Sequence, residues 1–226
     1  MASGALRFST QPTSSPPARQ AEPIPPDLRC QTLIGQPNWQ QLPIEVQRRF
    51  SKNLTSGKST IYIGHVTNLA ISRLGWMLAQ ALRIIGAPLP ISRATGGLSV
   101  VTVTNDPATG GQIWTRLYLD ATGAPQIIQS RKCFLGPTGL EEHVRAGIGM
   151  SLSITVENGA LVFRSQDYFW RWGRLRLTIP KVLTLGRMTV THKAVTSESF
   201  LFTLDLDHQV FGSLVHQEAL FESEMA

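Results

Sequence analysis

From Gly97 to Phe221 the chain is a succession of short segments in which apolar and polar residues alternate with a period of two, each cut from the next by a turn signal. That period belongs to strands with one buried face. Residues 98–104, 112–119, 126–134, 140–148, 151–156, 161–166, 174–179, 187–194, 200–206 and 213–221 all read this way, and a further short strand is expected at 60–66. Between them stand Asp106-Pro107 with Gly110-Gly111, Thr122-Gly123, Gly136-Pro137 and Asn158-Gly159, the last being the strongest hairpin signal in the chain. Connections this short join antiparallel neighbours, because a parallel crossover needs a dozen residues or more. The expectation is a mainly β fold of the α+β kind: an antiparallel barrel-like or strongly curved sheet, with one long amphipathic helix over an opening or a face.

The helix is expected over 68–85. On a wheel, Val66, Ala70, Leu74, Met77, Leu78, Ala81, Leu82, Ile84 and Ile85 gather opposite Asn68, Ser72, Arg73, Gln80 and Arg83, and Gly86 with Pro88 ends the run. Leu69 and Trp76 fall on the polar side, which makes them candidate contacts for a partner. A short helix is expected at 43–50, opening on Pro43. Residues 1–31 are rich in Ser, Thr, Pro, Gln and Arg and poor in large apolar side chains, so they cannot offset their ordering entropy by burial. They read as a disordered tail, with a faint compositional likeness to a transit peptide, and 32–226 as one β-rich domain.

Net charge is +6, and residues 160–193 alone hold seven basic residues against the single acid Asp167. The basic character is therefore regional. Tyr168, Trp170, Arg171, Trp172 and Arg174 interleave rings with guanidinium groups, a pattern suited to anionic lipid headgroups, and nucleic acid ranks last among the partners it allows. The competing reading is structural: Leu175, Leu177 and Ile179 against Arg174, Arg176 and Thr178 have the pattern of a half-buried strand. Cys30 and Cys133 are isolated, which leaves no disulfide framework or C-x-x-C motif and points to a reducing, cytoplasmic compartment with peripheral membrane contact open. No apolar run is long enough to span a bilayer as a helix.

No phosphate-binding loop, nucleophile elbow or H-E-x-x-H is present, and Gly147-Ile148-Gly149 lacks the third glycine of a dinucleotide loop, so no cofactor is expected. The five histidines are too dispersed for a recognisable metal-ligand spacing. Candidate chemistry comes from strand faces. On Leu140, Glu142, Val144, Ala146 and Ile148 the one charge is Glu142, a carboxylate aimed at the core. His192 shares a face with Met188, Val190 and Ala194; His216 and Glu218 share one with Leu214 and Leu220; Trp114, Arg116 and Tyr118 form a third. Arg116 is placed to neutralise Glu142 or to hold a ligand carboxylate.

The runs IIQSRKCFLGPTGLEEHV, GALVFRSQDYFWRWGRLRLTIPKVLTLGRMTVTH and SFLFTLDLDHQVFGSLVHQEALF, with IWTRLY and the GAPLP that follows the helix, resemble the bacterial family called domain of unknown function 4166. The resemblance covers roughly residues 42–221 and is most specific in the C-terminal half. The family pattern carries prolines where Leu185 and Gln209 stand, so loops at these points are expected to differ. No family catalytic residues transfer. The matching motifs single out Trp114, Arg116, Ser130, Lys132, Glu142, Arg164, Tyr168, His192, His208 and Gln217. Similar domains beside NADP-dependent oxidoreductase-like domains imply an accessory role.

Together these readings favour an apolar pocket for a small amphipathic or lipid-like ligand, with Trp114, Arg116, Tyr118, Ser130, Lys132, Arg164, Tyr168 and His216 as ligand-binding candidates. The alternatives are a cofactor-free isomerase, cyclase or hydrolase using Glu142 and His192 as acid and base, and an accessory domain for an oxidoreductase.

Overall fold

The computed structural model describes residues 26–54, 58–84, 96–119 and 123–222. Among these described residues four α-helices, α1 (Arg29–Ile34), α2 (Gln36–Trp39), α3 (Ile44–Phe50) and α4 (Arg73–Ile84), accompany eleven strands. The strands are β1 (Ser59–Ile71), β2 (Leu98–Asp106), β3 (Gly111–Leu119), β4 (Pro125–Gly136), β5 (Gly139–His143), β6 (Ile148–Glu157), β7 (Ala160–Trp172), β8 (Leu175–Thr178), β9 (Arg187–Ala194), β10 (Ser199–His208) and β11 (Gly212–Glu222). They pair antiparallel in the order β6-β5-β4-β3-β2-β1-β11-β10-β9-β7, and β6 pairs β7 in turn. The sheet therefore closes into a barrel of ten strands, with β8 as a short flap on the outer half of β7. Closure gives each of those ten strands a neighbour on both sides.

Alternation generates the two surfaces. Along β10, Phe200, Phe202, Leu204 and Leu206 are buried while Leu201, Thr203 and Asp205 are partly exposed. The β6–β7 hairpin turns on Asn158 and Gly159, whose φ values of 50° and 73° are those of a type I′ turn, the form whose twist suits a two-residue hairpin. At this end of the barrel lie α1 to α3. Pro43 is within 3.6 Å of the position a Gly159 Cβ would take, and α3 places Val46 and Phe50 in the core cluster. Glu45 in the first turn and Arg48 and Arg49 in the last complement the dipole of this short helix. Arg29 to Gln31, assigned to the tail in the sequence reading, open α1, and Cys30 is buried; residues 1–25 lie outside the described residues.

At the opposite end α4 docks on β11. The Ser72 Oγ accepts the Gly75 N–H at 3.0 Å as an N-cap, and the Ser72 N–H donates to the Leu214 carbonyl at 3.0 Å. The long helix expected over 68–85 is shorter at its start, because Asn68 to Ile71 pair with Val215 to Glu218 and extend β1. Its face is also turned: Gly75, Ala79 and Leu82 are buried, whereas Leu74 and Met77 are exposed. Trp76 is exposed, and Leu69 is half-buried against Val66, Tyr118 and Ile128. The stop signal at Gly86 and Pro88 lies outside the described residues. The structure departs from expectation at two further points. The strand expected over 140–148 is broken at Arg145–Gly147, where Ala146 and Gly147 both take positive φ and reverse the chain into β6. In β8, Leu175 and Leu177 are about half exposed, because the flap pairs with β7 alone and their face has no layer over it, while Arg176 on the other face turns toward Glu141.

Candidate functional site

Register places a row of side chains across the inner wall. Lys132 stands opposite Glu142, Glu142 opposite Met150, and Met150 opposite Tyr168. All four are buried, together with Arg116 and Ser130 from β3 and β4. Glu142 Oε2 accepts from Lys132 Nζ at 2.6 Å, and its Oε1 is 3.7 Å from Arg116 Nη2. Arg116 Nη1 donates to Ser130 Oγ at 3.2 Å. Burial alone would raise the Glu142 carboxyl, but Lys132 and Arg116, with hydrogen bonds from Lys132 and Ser130, outweigh it and hold the group at about 2. Burial lowers the Lys132 amine, against which Glu142 pulls.

Glu142 and Arg116 form the polar end of a cavity of about 270 Å³. Its walls are otherwise largely apolar, with Leu82 from α4 and Leu183 and Leu185 from the β8–β9 connection closing it on the side away from α1 to α3. Tyr118 and Tyr168 supply two more polar tips. The Tyr118 hydroxyl is hydrogen-bonded to the buried Gln217 side chain, Tyr168 donates to Ser165 Oγ at 3.3 Å, and burial raises the pKa of both phenols.

His192 lies elsewhere. It lines a separate, nearly filled cavity of about 30 Å³ at the α3 end, with Phe50, Phe202 and Phe200 at centroid distances of 5.0, 5.2 and 6.0 Å. Its Nδ1 has no hydrogen-bond partner among the described residues. Burial, reinforced by Arg49, Lys132 and Arg116, pushes its pKa well below the ordinary histidine value, so the ring is neutral. The two cavities share no lining residue. Lys132 stands between them, its Nζ 5.3 Å from the Trp114 ring and 5.4 Å from the Phe163 ring while it bonds Glu142.

Of the residues singled out in the sequence, Arg116, Tyr118, Ser130, Glu142 and Tyr168 meet at the larger cavity, Lys132 lies behind it, and Trp114 and His192 line the smaller one. Tyr168, grouped above with the exposed rim, is interior. Arg164 is on the outer surface, paired with Glu157. His216 is also outside, its Nδ1 2.6 Å from Asp205 Oδ1. Its face reverses because Leu214 is an extra residue in the β10–β11 ladder: Leu206 pairs with Val215 and Asp207 with Ser213, which resets the alternation. Glu141 escaped the sequence reading. Only 1% exposed although on the outer face of β5, it is covered by the β8 flap and held by Arg176 at 2.5 Å, Thr138 Oγ1 at 2.6 Å and His143 at 3.1 Å. The adjacent pair Glu141-Glu142 was the available signal, since alternation must send the two carboxylates to opposite faces. Among the described residues no group of three or more His, Cys, Asp or Glu is arranged to hold a metal ion, and no helix is long and apolar enough to cross a membrane.

Fold and site together define a closed antiparallel β-barrel domain with an interior cavity that is apolar except for one charged end. The chain belongs to the family described as Domain of unknown function (DUF4166), whose model matches residues 42–221, the span from the approach to α3 to the end of β11. No curated protein and no solved structure matches the chain.

Proposed function

We propose that this domain binds a small amphipathic molecule inside the barrel. The observation that carries the reading is the larger cavity: about 270 Å³, apolar along its length and polar at the Arg116–Glu142 end. A ten-stranded barrel has room for a small ligand, and a few fixed polar groups in an apolar wall are what orient one. Binding is favoured over acid–base turnover by Glu142 and His192 together. Glu142 is held ionised by its cation neighbours, and His192 sits in the other cavity beyond Lys132 and Trp114. Native mass spectrometry of protein purified from its own host, followed by denaturing extraction, tests this. A stoichiometric small molecule of amphipathic character is expected. Protein that carries none, and takes up none from a panel of medium-chain amphiphiles, would refute it.

The surroundings of the cavity support acquisition of that ligand from an anionic membrane surface. Leu183 lines the cavity yet is 73% exposed, and Val182, Trp172 and, on the β10–β11 turn, Val210 and Phe211 are exposed at the same barrel end. Arg171, Arg174, Lys181 and Arg187 are exposed among them. Apolar side chains set among cations suit an interface where hydrocarbon and anionic headgroups meet. Binding to vesicles containing phosphatidylserine should weaken as salt rises and fall further when Trp172 and Val182 are both changed to Ser. Absence of binding at any salt would remove this part of the reading.

A further inference from the structure

The Arg116–Glu142–Lys132 cluster has one carboxylate for two cations, and among the described residues no other charged residue lines the larger cavity. Two of the guanidinium's three nitrogens are left with capacity. Nη1 is used on Ser130, but Nη2 reaches Glu142 only at 3.7 Å, beyond hydrogen-bond distance, and Nε is buried with no partner among the described residues. Nε and Nη2 form the side-on edge of the guanidinium, the edge whose two parallel N–H groups match the two oxygens of a carboxylate. A buried donor without an acceptor is costly, and so is a positive charge in surplus in an apolar interior; one anion at that edge relieves both.

We propose that the ligand carries a single negative charge, of the carboxylate class, which docks on the Nε–Nη2 edge of Arg116 with its apolar body along the cavity. This rests on the binding reading above and sharpens it. Glu142 then acts as a positioning residue: by drawing in Lys132 at 2.6 Å and Nη2 at 3.7 Å it fixes the guanidinium plane and leaves Nε without an acceptor among the described residues. Ser130 holds the opposite corner of the plane.

The test is a head-group series on the unmodified protein, with decanoate, decanol and decyltrimethylammonium titrated at neutral pH by calorimetry. All three present the same chain length, so differences report the polar end. Decanoate should bind at least about tenfold more tightly than decanol, the scale of a hydrogen bond to a charged group, and the cation should bind more weakly than both. Arg116→Gln should abolish the preference while decanol affinity is retained, and that retained affinity shows that the variant is folded. Equal affinities for decanoate and decanol, or a preference for the cation, would overturn the anion assignment and leave the pocket reading standing. Failure of all three to bind would overturn both.

Discussion

Glu142→Gln changes one atom of the buried cluster and removes its only negative charge. With the carboxyl held at about 2 against an ordinary value of 4.5, the ionised form is favoured in the folded state by about 3 kcal/mol, at roughly 1.4 kcal/mol per pKa unit. An independent scale agrees: removing one partner from a buried ion pair typically costs about 3–5 kcal/mol, because the remaining charge is stranded. Here Lys132 and Arg116 would be stranded together, so a loss of about 3 kcal/mol at neutral pH is expected in urea unfolding, with the denaturant slope unchanged. The pH dependence has a definite sign. The folded pKa lies below the unfolded one, so the stabilisation is complete above about 4.5 and disappears as pH falls toward 2. The parent and variant stability curves should therefore converge across that window. A variant within about 0.5 kcal/mol of the parent at neutral pH, the range of ordinary surface substitutions, would refute the reasoning, as would a gap that does not narrow in acid.

Three other expectations concern the frame around the cavity. His192→Phe replaces a neutral ring whose Nδ1 has no partner with one that fits its aromatic surroundings, and should raise stability by about 1 kcal/mol at neutral pH. Because the folded His192 pKa is lowered from 6.5, the parent loses stability as pH falls below that value, and the Phe variant should lack this slope; a net loss from the substitution in urea melts would contradict the assignment. Gly75→Ala should destabilise by about 1–3 kcal/mol despite a better helix propensity, since the added Cβ would stand 2.1 Å from the Leu214 carbonyl oxygen; a gain in thermal stability would show that α4 does not dock so closely. Of the two thiols, Cys133 is half-buried while Cys30 is 5% exposed, with burial and then Asp27 pushing its pKa up to about 12. An aromatic disulfide reagent should label Cys133 in the native protein and Cys30 only with denaturant, and equal native rates would refute that placement.

Much of the barrel was legible because alternation survives where one face is buried throughout. In β3, Trp114, Arg116 and Tyr118 were read together as one face and all line the interior. Alternation fails where a bulge inserts a residue. At Leu214 it sent His216 to the wrong side. In β7 the ladder slips between Met150 and Leu152, so Ser165 and Tyr168, three apart, both face inward and the strand continues to Trp172 beyond the segment read in sequence. At Asn68 to Ile71 the apolar spacing served either period, and the β11 ladder decided for strand. The inward aim of Glu142 was legible from Leu140 alone, although the rest of its assumed strand turns away after His143. The cavity was legible in part, through Arg116, Tyr118, Ser130, Glu142 and Tyr168, but the walls that close it were not. Its walls include Leu82, Leu183 and Leu185, none of them on a strand, and what brings them over the opening is a closure that pairs β1 with β11, far apart along the chain.

The two halves of the interior are built to different ends. Around His192 the rings of Phe50, Phe200, Phe202 and Trp114 fill the barrel until about 30 Å³ is left, which is how a core maximises dispersion contacts. Beyond Lys132 the same strands leave about 270 Å³ and line its end with ionised groups. A void of that size with nothing to fill it would cost several kcal/mol at about 24 cal/mol per Å³, and a buried ion cluster is seldom more stable than apolar side chains of the same volume. Larger residues at Ser130, Val190 or Leu204 would relieve the first cost and an apolar trio the second. Stability alone therefore explains neither feature, and both fall in the same compartment, beneath the barrel end that exposes Trp172, Val182 and Leu183. The ligand proposed above would account for both together: its apolar body would occupy the volume, and its charge would meet the free edge of Arg116.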